Sequence, residues 1–241
     1  MTTSAQKAIR WILGLQVGLA LLLFAGDLGA RIPQLLSPSV APTLERLVSP
    51  GDQTRRYAPR RMTTGPDTGP MPRRLTFQPF GDVLTMEGGI AAGDAARFED
   101  FLDREGPFTR IRLNSPGGSV GDALDIGRRI RDAGIITEMQ PDTFCLSACP
   151  YILAGGTERR VHITASVGVH QHYFGENIVL PAFTAVEDIQ RGQGEVMTYL
   201  NDMGIDPLLM RHALVTPPDE IYVLLPEELE TYRLATEIGA S

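Results

Sequence analysis

The sequence predicts an α/β domain preceded by an apolar N-terminal segment and an extended linker, and three observations carry that reading. From about residue 75 onward, short β-patterned runs alternate with amphipathic helical runs, the pattern of right-handed crossover units. Residues 11–26 are almost wholly apolar. Between these two regions, residues 31–74 are rich in proline, threonine and arginine, and few of their apolar residues recur at either structural period. With 241 residues and 43% hydrophobic content, the chain can bury one sizeable core plus appendages.

Residues 1–10 are polar and carry Lys7 and Arg10; the run from Trp11 to Gly26 follows. A spanning helix needs about 20 apolar residues and a signal-peptide core about 7 to 15, so residues 1–30 read as a membrane anchor or a signal peptide. Leu23-Phe24-Ala25 and Leu28-Gly29-Ala30 are poor cleavage sites, interrupted by Asp27, which favours an uncleaved anchor. A buried core helix is disfavoured, because no polar stripe interrupts Val17 to Gly26. Lys7 and Arg10 would keep the N-terminus in the cytoplasm and send the remainder to the periplasmic side of the inner membrane in a single pass. Residues 31–74 are expected to be a linker with a short amphipathic piece at Pro42 to Val48. Its arginine pairs (Arg55-Arg56, Arg60-Arg61, Arg73-Arg74) are read as solvated, the alternative being contact with anionic headgroups.

The folded domain is expected over 75–241. Asp82 to Ile90 reads as a strand entering a turn. Asp94 to Glu105 has helical spacing through Ala95, Phe98, Phe101 and Leu102, with Asp94 as N-cap. Thr109 to Leu113 is a strand, Val120 to Ala133 a helix with Ala123, Leu124, Ile126 and Ile130 inward, and Ile135 to Met139 another strand. A helix after Ser147, a strand carrying His170, a longer helix between Pro181 and Met203 and a short one around Pro207 to Leu214 complete the pattern. No internal repeat is visible.

Three stretches carry chemistry. In the run from Cys145 to Gly156, Pro150 is tolerated only in the first turn of a helix, so the helix starts near Ala148 or Cys149 and leaves Ser147 at its mouth. Free backbone N–H groups converge there, which suits a nucleophile whose attack creates an oxyanion; taken alone, Ser147 is more simply an N-cap. The run Arg110 to Val120 is a strand breaking into a Gly117-Gly118 turn, where the main chain can approach a substrate closely. Ala165 to Phe174 reads as a strand that places His170 and His172 on one face. Each feature is weak alone; their order along one chain strengthens the reading.

These residues resemble the Clp proteolytic subunit group of serine peptidases within the wider crotonase-like fold. The likeness is carried by Leu113-Asn114-Ser115-Pro116-Gly117-Gly118-Ser119-Val120, by Ser147 with Ala154-Gly155-Gly156, and by Arg160 and His170-Gln171, and it extends from about residue 80 to 235. It implies a crotonase/Clp-protease-like spiral of ββα units behind the anchor and linker, with Ser147 as nucleophile, His170 as general base, and Gly118 and Ala148 as oxyanion-hole amides. The departures are Cys145, Cys149 and Pro150 beside the serine, and a segment between Gly156 and His170 about two residues shorter than in the peptidase subunits. The likeness also implies a polypeptide substrate and a homo-oligomer assembled partly through 181–203, and it places a third, acidic member just before Leu225 to Leu234. Counting from His170 gives Asp219 and counting back from Pro226 gives Glu220; the shorter carboxylate is the commoner partner, which favours Asp219. His172 is a rival base whose alternative role is lining the groove.

Other chemistries are narrowed. Signal-peptide peptidases of the same fold resemble a serine–lysine design, but the sole lysine, Lys7, precedes the apolar segment, and arginine does not deprotonate at working pH. A net charge of −7 argues against nucleic acid. The absence of a phosphate-binding glycine fingerprint predicts no nucleotide requirement and hence an ATP-independent peptidase without cofactor. Cys145 and Cys149 either pair as a disulfide or remain buried thiols, and they make no metal site. Two non-peptidase readings stay open: a catalytically inactive crotonase-fold module binding a peptide or partner, and an acyl-CoA enzyme of crotonase type.

Overall fold

The computed structural model describes residues 71–171 and 182–239, helical residues 6, 7, 10–19 and 22, and the two-residue strand Arg55–Arg56. By internal contacts the chain falls into two units, Met1–Val40 and Ala41–Ser241. In the first, the apolar side chains along 10–19 are exposed. Among the described residues no helix is long and apolar enough to cross a membrane. The remainder of the expected anchor and the piece at 42–48 lie outside the described residues.

In the second unit, β1 (Arg55–Arg56) is followed by the hairpin β2 (Thr76–Phe80) and β3 (Val83–Glu87), then α1 (Asp94–Glu105), β4 (Arg110–Asn114), α2 (Val120–Asp132), β5 (Ile136–Met139), β6 (Phe144–Leu146) and α3 (Cys149–Gly155). After these come β7 (Arg159–His162), β8 (Ser166–Val169), α4 (Ala182–Asp202), a 3₁₀ turn (Pro207–Leu209), α5 (Met210–Val215), β9 (Glu220–Val223), α6 (Pro226–Thr231) and β10 (Glu237–Gly239). One sheet has the order β10-β7-β5-β4-β3-β2, parallel except for the β2–β3 hairpin; the other has the order β1-β9-β8-β6.

The two sheets are linked by a repeated step that places the site. Each of β3, β4, β5 and β7 lies in the first sheet and is followed by a short extended segment that leaves it: Ile90, Ser115–Gly118, β6 and β8 respectively. These segments lie side by side and parallel, Ile90 against Gly118, Ser115 against Cys145, and Leu146 against Gly168. Residues distant in sequence but equivalent within successive turns of the spiral are thereby brought to one edge. The architecture is mixed α/β with ββα-type topology, as expected.

The helices form where the apolar spacing directs them. Helix α2 buries Ala123, Leu124, Ile126, Gly127 and Ile130, and Ser119 caps it by accepting from the Asp122 N–H at 3.4 Å. Close approach of α2 to α3 requires glycine at 155, where a Cβ would strike the Gly127 carbonyl. The expectation that Asp94 caps α1 is corrected: Gly93, at φ 82°, is the N-cap, and Asp94 is the first helical residue. Its fully buried carboxylate turns back to accept from the Ala91 N–H at 2.8 Å, the Leu75 N–H at 3.2 Å, Arg74 at 2.8 Å and Arg97 at 2.6 Å. Burial works to raise its pKa, but these bonds outweigh it and hold the carboxyl below its ordinary value. Arg74 and Pro72, whose carbonyl accepts from the Gly89 N–H at 2.9 Å, are therefore already joined to the domain expected to start near Leu75.

Candidate active site

Ser147 stands between the last residue of β6 and the N-cap of α3, with a left-handed backbone at φ 60°. That region is disfavoured for any residue with a Cβ, so the surroundings must hold it there. Its N–H donates to the Gly168 carbonyl at 2.9 Å, extending the β6–β8 pairing by one residue. From the other side comes Gly117, at φ 94°, where an added Cβ would lie 2.6 Å from the Ser147 Cβ and 2.9 Å from the Ala148 nitrogen. No side chain larger than hydrogen fits at 117 without displacing the serine.

His170 follows directly on β8, the neighbouring strand, and its Nε2 lies 2.8 Å from Ser147 Oγ. Its Nδ1 lies 2.9 Å from the Pro218 carbonyl oxygen. Because a carbonyl can only accept, Nδ1 carries the ring hydrogen, Nε2 presents its lone pair, and the serine hydroxyl is the donor. Burial lowers the His170 pKa from its ordinary 6.5 and the Pro218 carbonyl partly offsets this, so the ring is neutral and basic at neutral pH.

The expected amides are also placed. Ala148 is the buried residue after the serine, and Gly118, at φ 143°, is locked against Ile90, whose carbonyl a Cβ would strike. Around them, the Gly117 N–H donates to Ser115 Oγ, the Ser119 N–H to the Ile90 carbonyl and the Ser147 N–H to the Gly168 carbonyl. Among the described residues no acceptor takes the N–H of Gly118 or Ala148.

The third member departs from expectation. Asp219 is exposed on the turn between α5 and β9, Glu220 begins β9, and neither is hydrogen-bonded to His170 among the described residues. The ring nitrogen that a carboxylate would take faces the main chain at Pro218. Two contacts fix that loop: Thr216 Oγ1, buried, donates to the His212 carbonyl at 2.7 Å, and the Gln171 N–H donates to the Thr216 carbonyl at 2.9 Å. Pro218 and Thr216 escape a search for catalytic side chains because one contributes a main-chain carbonyl and the other anchors the loop that bears it. His172 lies outside the described residues.

Cys145 and Cys149 are joined as a disulfide, with Cα atoms 5.1 Å apart, which settles the alternatives left by the sequence. Arg160 serves the sheet, pairing with Glu158 at 2.6 Å. Among the described residues no cluster of three or more His, Cys, Asp or Glu side chains could hold a metal ion.

No protein-family model matches the chain, and no curated protein does. Among solved structures it is similar to a ClpP1 mutant from Listeria monocytogenes, at 18% identity and a TM-score of 0.51, over 65% of this chain and 90% of that one. At that identity the likeness establishes a Clp-protease-like fold.

Proposed function

We propose that this chain is a serine hydrolase, a peptidase that needs no ATP, tethered to the inner membrane with its catalytic domain on the periplasmic side. The observation that carries the reading is the 2.8 Å contact between Ser147 Oγ and a His170 ring whose tautomer is set by Pro218. Ser147 Oγ attacks the scissile carbonyl carbon while Nε2 takes its proton. The tetrahedral oxyanion is stabilised by the N–H groups of Gly118 and Ala148, each worth about 3 kcal/mol in comparable sites. Collapse expels the amine, which receives the proton from Nε2, and water then repeats the sequence on the acyl-enzyme. The imidazolium formed in between donates to the Pro218 carbonyl in place of a carboxylate, so the working unit is a serine–histidine dyad held by main chain.

The peptidase assignment is supported by the fold likeness, and by the strand-end setting of the site, which suits an extended main chain. A homo-oligomer built partly through α4 is the assembly the resemblance implies. A disulfide fits an oxidising compartment, and Lys7 and Arg10 before the apolar run fit periplasmic export.

The test is activity-based labelling of the full chain with a fluorophosphonate. Label on Ser147 in the wild type, absent from Ser147→Ala, supports the hydrolase. Peptide binding without turnover or labelling would instead identify a non-catalytic binding module.

A further inference from the structure

The two ends of α3 are secured differently, and the difference falls on the site. At its C-terminal end, Arg131 donates to the carbonyls of Ala154, Gly155 and Gly156 at 2.9 to 3.0 Å, and Thr137 Oγ1 donates to the Leu153 carbonyl at 2.7 Å. At its N-terminal end, Ala148 offers no side-chain cap and Pro150 has no N–H. A helix of seven residues does not hold its own first turn. Beyond the main chain itself, this end is tied covalently by the bond from Cys149, the first helical residue, to Cys145 in β6. It closes a small ring around Leu146, Ser147 and Ala148.

We propose that the Cys145–Cys149 disulfide is a positioning element of the oxyanion hole, fixing the direction of the Ala148 N–H relative to Ser147 Oγ and the Gly118 N–H. The inference rests on the hydrolase reading above. Gly117 packs against the serine segment and the disulfide ties its two flanks together. The Ser147–His170 contact and the Ser147 N–H bond to Gly168 do not pass through the sulfurs, so both survive cleavage. The Ala148 N–H has no protein acceptor among the described residues to hold its direction, so it is the group that loosens. Loss of alignment at one donor weakens transition-state stabilisation and leaves ground-state binding alone. Both cysteines are fully buried, which shields the bond from reductant and slows its reduction in the folded domain.

The test compares full-length wild type with Cys145→Ala/Cys149→Ala, using a rhodamine fluorophosphonate for labelling and fluorescein-labelled casein for turnover. The expected result is a fall in kcat of about 10- to 100-fold, with KM and the acid-side midpoint of the pH profile unchanged. A merely structural bond would lower the melting temperature without this kcat-only pattern.

A reductive series on wild type covers the case in which the double variant does not fold. Dithiothreitol at rising temperature reduces the bond, itself becoming a cyclic disulfide as two electrons and two protons convert the protein sulfurs to thiols. Alkylation and mass spectrometry count the thiols, and circular dichroism identifies the fractions still folded. Recovery of the labelling rate on reoxidation supports the inference; folded, reduced protein labelled at the oxidised rate overturns it. Equal kcat in the folded double variant overturns it as well, while wild-type labelling at Ser147 keeps the hydrolase reading standing. Oxidised wild type that is never labelled at Ser147 overturns both.

Discussion

Two histidines in this domain have similar credentials and opposite surroundings. His212, on α5, is buried; its Nε2 lies 2.9 Å from the Tyr232 hydroxyl and 3.5 Å from Glu228, and its ring stacks on Tyr222 at 4.4 Å. It therefore has a carboxylate neighbour, which His170 does not have among the described residues. The Tyr222 hydroxyl donates to the same Glu228 at 2.8 Å, and burial together with that bond pushes the Tyr222 pKa up to about 12. Among the described residues His170 has a carbonyl behind it, and a serine hydroxyl and uncommitted amides in front. Around His212 the acid, the phenols and the ring form a buried packing cluster, whereas at His170 a hydroxyl faces the ring nitrogen, the arrangement of the candidate site. His212 serves the site indirectly, since its own carbonyl anchors Thr216 and so the loop bearing Pro218.

The sharpest test of this contrast is paired replacement. Ser147→Ala or His170→Ala should remove about four to six orders of magnitude from kcat with the melting temperature little changed. His212→Gln should retain labelling at Ser147 while lowering the melting temperature. Labelling that vanishes in His212→Gln but survives in His170→Ala would reverse the two assignments.

A second prediction concerns the turn. Gly118→Ala would drive a Cβ into the Ile90 carbonyl from a backbone at φ 143°, so the variant should lose more than about 100-fold in activity and some stability. Activity and thermal denaturation on the same preparation check both effects.

The histidines also differ in what acid should do. Burial lowers the pKa of both below 6.5, while Glu228 partly restores that of His212 and Arg211 opposes the restoration. The unfolded chain therefore binds more protons than the folded one in the interval below about pH 6.5, and stability falls as pH drops through it, levelling once the folded pKa is passed. Both residues contribute to that loss. The rate depends on neutral His170 alone and should fall with a midpoint below 6.5. His212→Gln should flatten the acid side of the melting-temperature profile without moving the rate midpoint.

The smallest expected effect is on the acids. Asp219→Asn and Glu220→Gln should each change kcat by less than about threefold, where the same change in a serine–histidine–aspartate unit costs about 10⁴-fold. A loss near that size would return the carboxylate to the mechanism and displace the Pro218 carbonyl.

Legibility followed length and amphipathicity. Helices α1 and α2 lie where the spacing of Phe98 and Leu102, and of Ala123, Leu124 and Ile130, put them, because a repeated apolar face has one stable solution. Strands β6, β7, β9 and β10, of three or four residues, were not anticipated as elements. Strand β7 hides its pattern behind Arg159, whose buried guanidinium donates to the carbonyls of Gly156, Arg233 and Leu234. Arg55 and Arg56, read as linker, pair with Ile221 and Glu220 because β9 offers them an open sheet edge.

The order of motifs along the chain points to the α/β class and the double-glycine turn, and the resemblance those motifs carry implies Ser147 with His170 while leaving His172 as a rival. What folding alone decided was which group completes the imidazole and whether the two sulfurs meet. A main-chain carbonyl has no letter of its own, and two cysteines four residues apart are poorly placed to bond along a continuous helix, whereas here a strand turns into a helix between them. The first outcome was set by the loop that Thr216 and Gln171 hold against the end of β8, a contact between residues far apart in the chain, and the second by the turn at Ser147 that Gly117 and Gly168 hold in place.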